Sequence, residues 1–110
     1  MKMYIAVLDS FPDNMTPTLV AHNVLSAHLK FQDDPDYKEW LKTSFKKVVV
    51  RVNQKEFQKI SLLPMVHLGF ESSCLNGKES CAVACPRKEV PNVLKFAKMW
   101  KSNNKIEVVK

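Results

Sequence analysis

The sequence predicts a single α/β domain of three layers, α/β/α, around a four-stranded mixed sheet. Three observations predict it. A short apolar run, Met3 to Leu8, and a β-branched run carrying three cations, Lys46 to Val52, read as strands separated by a long stretch of helical periodicity, and a helical crossover of that kind joins parallel strands. An Asn76-Gly77 pair between two further apolar runs reads as a hairpin. A chain of 110 residues can bury one core but not two.

Met3 to Leu8 is too short for a helix, and Asp9-Ser10 and Pro12-Asp13-Asn14 close it as a buried first strand. Thr16-Pro17 predicts a helix start, with the threonine hydroxyl as cap and proline at the first helical position. Val20, Val24, Ala27 and Phe31 then form one apolar stripe and Ala21, Leu25 and Leu29 a second, so this helix is expected to pack on two sides. Asp33-Asp34-Pro35-Asp36 ends it and starts another from Tyr37 to Thr43, with Tyr37, Trp40 and Leu41 inward. The strand 46–52 follows. Asn53 caps a helix through Leu63 that turns Phe57, Ile60 and Leu63 inward, and Pro64 stops it.

Leu68 to Cys74 and Glu79 to Cys85 read as the hairpin arms around a type I′ turn at Asn76-Gly77. With Leu75 and Lys78 flanking that turn, Leu68, Phe70, Ser72, Cys81, Val83 and Cys85 share the core face. Val90 to Trp100 predicts a last helix burying Val93, Leu94, Phe96, Ala97 and Trp100. Residues 1–101 thus make the domain, and 102–110 a polar tail with a weak strand signal at Ile106-Glu107-Val108-Val109.

The net charge of +6 is unevenly spread. Residues 1–40 carry three lysines against six acids, a balance of −3, and residues 41–110 carry fourteen Lys and Arg against five acids, a balance of +9. That asymmetry favours an anionic partner for the C-terminal two thirds. No hydrophobic stretch reaches membrane-spanning length and no cleavable leader is visible, so a membrane partner is not expected. Three cysteines, an odd number, argue against a disulfide framework and suit a reducing, cytoplasmic setting.

Metal chemistry finds little support. Cys81 and Cys85 on a strand lie roughly 13 Å apart, too far to share a zinc ion, and His22 and His28 diverge by about 120° around their helix. No nucleophile elbow, paired-carboxylate motif or glycine-rich phosphate loop is present, and the chain has only two glycines. No cofactor is expected. The basic strand is more informative, because Lys47, Val49 and Arg51 alternate onto one face, with Lys42, Lys55 and Lys59 on flanking helices. Cations so placed can hold phosphates with little sequence reading.

Lys46-Lys47-Val48-Val49-Val50-Arg51, Gly69-Phe70 and Val83-Ala84-Cys85-Pro86, taken in this order with the helices between them, resemble the type 2 peptidyl-tRNA hydrolases of the archaeal and eukaryotic kind over about 100 of the 110 residues. The resemblance implies a four-stranded mixed sheet covered on both faces. It places Lys47 where that family keeps a functional lysine and His22 on the helix where the family has a histidine. The family's lysine- and glycine-rich helix start is replaced by Thr16-Pro17-Thr18-Leu19, and its Asp-Ala-Gly-Arg-Thr loop by Asn76-Gly77-Lys78. The implied protein is therefore a catalytically degenerate relative that binds RNA, tRNA or a small phosphate-bearing nucleotide through Lys47, Arg51, His22, Asn23 and Lys78. A working hydrolase is the alternative, with Lys47 stabilising the oxyanion and Asp13 or His22 activating water. A third reading is an interaction module that docks an acidic protein. A homodimer is left open.

Overall fold

In the computed structural model, which describes residues 1–102, strands β1 (Lys2–Leu8) and β2 (Lys46–Val52) lie side by side and parallel, pairing Lys2 with Lys46 and Leu8 with Val52. The crossover between them consists of α1 (Thr16–Phe31) and α2 (Pro35–Lys42). Helix α3 (Gln54–Ser61) leads to β3 (Val66–Gly69) and β4 (Cys81–Ala84), and a short α4 (Asn92–Lys95) precedes β5 (Lys98–Met99). The strand order is β3-β4-β1-β2-β5, with only β1 and β2 parallel. The sheet is mixed, as expected, but among the described residues it has five strands rather than four.

Alternation along the strands divides the core in two. Met3, Ile5, Val7, Cys81, Val83 and Cys85 meet Leu19, Ala27 and Phe31 of α1 and Tyr37 and Trp40 of α2 on one face. Ala6, Leu8, Val50, Val52, Ala82 and Ala84 meet Phe57, Ile60 and Leu94 on the other. Both central strands are therefore buried on two sides, which is why β1 reads as an unbroken apolar run. Helix starts follow local chemistry. Asp34 accepts from the Tyr37 amide, and Asn53 and Glu56 form a reciprocal capping box. Thr16 does not cap α1. It is already helical, and its hydroxyl donates to the Pro12 carbonyl behind it.

Three packing expectations are corrected. Helix α1 packs on one side only, since Leu25 and Leu29 are 64% and 65% exposed; the single sheet beside it can receive only one stripe. The expected helix Val90–Trp100 lasts only through Lys95, leaving Phe96 exposed and Trp100 half-buried. Pairing with β2 overrides its helical periodicity: Lys98 and Met99 lie opposite Arg51 and Val50 in the sheet, and the Trp100 amide donates to the Val49 carbonyl at 2.8 Å. The outer edge of β2 would otherwise lack these partners.

The third correction concerns the hairpin. β3 and β4 pair as expected, but Leu68 faces Ala82 instead of Cys85. Leu68 therefore joins the α3 side of the core, opposite Cys81 and Val83. No two-residue turn joins the strands. Residues 70–80 fold on themselves, with the Cys74 amide bonded to the Glu71 carbonyl and the Gly77 amide to the Cys74 carbonyl, and Leu75, Asn76 and Gly77 all at positive φ. Phe70 is exposed as a result. Among the described residues no helix is long and apolar enough to cross a membrane. The strand expected at 106–109, with the tail from residue 103, lies outside the described residues.

Candidate functional site

The first half of β2 and the flank of α1 enclose a groove. At one end lies a cavity of about 390 Å³ bordered by Ile5, Thr16, Pro17, Val20, Val24, Val49 and Trp100. A second cavity of about 260 Å³ continues it along Leu25, His28, Tyr37, Trp40, Leu41 and Phe45. Ala21, Val24 and Lys47 border both, so Lys47 stands midway along the groove. The sequence puts it there: Lys47 shares its face of β2 with Val49, and their β1 partners, Met3 and Ile5, are buried under α1.

Among the described residues Lys47 is the only lysine, arginine, aspartate or glutamate bordering either cavity. It is exposed, and its ammonium donates to the Phe45 carbonyl at 2.9 Å while lying 3.1 Å from the Phe45 ring centroid and 5.2 Å from that of Trp40. These contacts hold the cation over an aromatic surface without neutralising it. Phe45 is itself unusual. It adopts φ 53° to close α2, with its amide bonded to the Trp40 carbonyl, and its ring stacks on Trp40 at 5.4 Å. Tyr37 and His28 complete this end through a 2.9 Å contact between the phenol oxygen and Nδ1. Burial, aided by Cys85, pushes the Tyr37 phenol above its ordinary range, so it stays neutral.

The remaining candidates lie elsewhere. Arg51 is on the same face of β2 but is engaged, bonding Asp13 Oδ1 at 3.1 Å and the Lys101 carbonyl at 2.6 Å and lying over the Trp100 ring. Asp13 is correspondingly held by a cation. His22 is 66% exposed, with Nε2 3.9 Å from Glu71 Oε2, and borders an adjoining depression that shares Pro17, Ala21 and Leu25 with the groove but not Lys47. Asn23 is buried, its amide donating to the Leu19 carbonyl and its side chain lying against Gly69. Lys78 bonds Gln54 Oε1 at 2.8 Å, beside the start of α3.

Of the six residues proposed from sequence, only Lys47 borders the groove. The groove's aromatic end and Trp100 were not anticipated as a site. Phe45 carried a usable signal, an aromatic residue placed between a helix end and a basic strand, whereas Trp100 carried none while it read as a buried helix residue. Among the described residues, no group of three or more His, Cys, Asp or Glu side chains is placed to hold a metal ion. No protein-family model matches the chain, and no curated protein matches it.

Proposed function

We propose that this chain is a catalytically degenerate, peptidyl-tRNA hydrolase-like binding protein that holds a phosphate-bearing ligand, a nucleotide or an RNA strand, at Lys47. The observation that carries the proposal is an exposed ammonium midway along an apolar groove with aromatic residues at both ends. A base or other flat apolar group fits the groove by stacking and burial, and the phosphate meets Lys47. The parallel β1–β2 pair, with the basic strand at the sheet's side and helices on both faces, supports the family resemblance. Binding is favoured over hydrolysis because Asp13 is paired with Arg51, His22 faces outward beside Glu71, and Lys47 borders neither.

The test is fluorescence anisotropy with a labelled single-stranded RNA oligonucleotide, repeated with a nucleoside monophosphate as competitor. Lys47→Ala should weaken binding about tenfold, the scale of one charge-assisted hydrogen bond, and affinity for RNA should fall steeply with salt. Equal affinity in the variant, or a flat salt response, removes Lys47 as the phosphate contact.

A further inference from the structure

The side chains of β2 make the groove, but among the described residues part of its main chain also lacks a partner on the outer side. The Val52 carbonyl accepts from the Asp9 amide on the β1 side, whereas the Val49 carbonyl accepts from the Trp100 amide on the outer side. Residues two apart on a strand paired in this way point the same way, so the amide and carbonyl of Lys47 also face outward. Among the described residues β5 pairs only with Val50 and Arg51, and the Trp100 contact extends this cover to Val49. Among the described residues none pairs with the main chain of Lys47 on this side. We propose that this edge binds an extended acidic segment of a partner protein, which adds as a strand beside Lys47 and sends alternate apolar side chains into the groove.

The occupant follows from charge. Lys46 and Lys47 are exposed at this edge, and among the described residues no acid borders either cavity. A second copy of this chain pairing through the same edge would set lysines against lysines, which opposes pairing. An acidic strand reverses that sign, and its backbone bonds supply affinity while the groove selects apolar residues at every second position. This inference does not rest on the phosphate reading, because it uses the main chain of Lys47 and survives if RNA fails to bind.

The probe is a capped heptapeptide of alternating glutamate and valine, compared with the same peptide N-methylated at every amide, both titrated into the full chain by calorimetry. The unmethylated peptide should bind at least ten times more tightly. Lys47→Pro, which removes the outward amide, should weaken it more than Lys47→Met, which keeps that amide, with circular dichroism confirming that both variants fold. Equal binding of the two peptides overturns the proposal, and so does a chain that binds the RNA oligonucleotide while ignoring both peptides. A chain that sediments as a dimer and excludes the peptide assigns the edge to a second copy and overturns it as well.

Discussion

Left-handed backbone at Phe45, φ 53°, costs a residue with a β-carbon on the order of 1–2 kcal/mol, and glycine is the usual occupant of such a position after a helix. The aromatic ring is held there, stacked on Trp40 and under the Lys47 ammonium, half exposed. Phe45→Gly should therefore be more stable than Phe45→Ala by about 1 kcal/mol, a difference that urea unfolding of the two variants measures directly. Equal stabilities would mean that the strain is relieved elsewhere. The same scale shows how far the sequence can be read. Alternation along β2 correctly put Lys47, Val49 and Arg51 on one face, because strand period is a local property. It could not show that Arg51 is consumed by Asp13, a partner brought near by the β1–α1 connection. Two cations that look equivalent in the sequence thus differ, one exposed at the groove and one engaged.

Among the elements, those with local signals were legible. The extent of β2 and the Asn53 cap of α3 follow from β-branched content and capping chemistry, and both stand as read. The last helix and the hairpin register did not follow, because each was settled by a distant partner: the open side of β2 for Lys98 and Met99, and α1 for Gly69. Gly69 packs so closely on Asn23 that a β-carbon there would lie 1.4 Å from Asn23 Oδ1. This contact holds β3 to α1, and the Ser80 amide closes onto the Gly69 carbonyl. Gly69→Ala should cost about 2–3 kcal/mol by overpacking. Adding Asn23→Ala should recover part of that loss although it removes a buried amide and its bond to Leu19. Non-additivity in a double-mutant cycle of unfolding free energies is the readout.

The whole molecule sets two further properties. Burial pushes the Cys81 thiol to about 12 from its ordinary 9.0, and burial together with the Asp34 carboxylate does the same for Cys85. Both raised values stabilise the protonated thiol in the folded chain. The stability they contribute is therefore complete below pH of about 9 and is lost as pH rises towards about 12. Urea midpoints should fall over that window, and Cys81→Ala should flatten the fall; an unchanged pH profile in the variant would show that Cys81 is not its source. At neutral pH the native chain should offer only the half-buried Cys74 to a thiol reagent.

The second property is the separation of the groups that hydrolysis would need to bring together. An oxyanion donor and a base must converge on one carbonyl, each within about 3 Å of its target. Lys47 stands at the groove, Asp13 is bonded to Arg51, and His22, beside Glu71, borders an adjoining depression that Lys47 does not border. Loss of a single oxyanion donor typically slows an enzyme on the order of 100- to 1000-fold, and here the base is displaced as well. The purified chain should therefore release no measurable peptide from N-acyl-aminoacyl-tRNA over multiple turnovers. Turnover at the rate of an authentic type 2 hydrolase, abolished by Lys47→Ala, would show that Lys47 finds a base within the groove, where His28 and Tyr37 are the ionisable groups at its aromatic end. In that case His28→Ala should abolish the activity too, while His22→Ala should leave it intact.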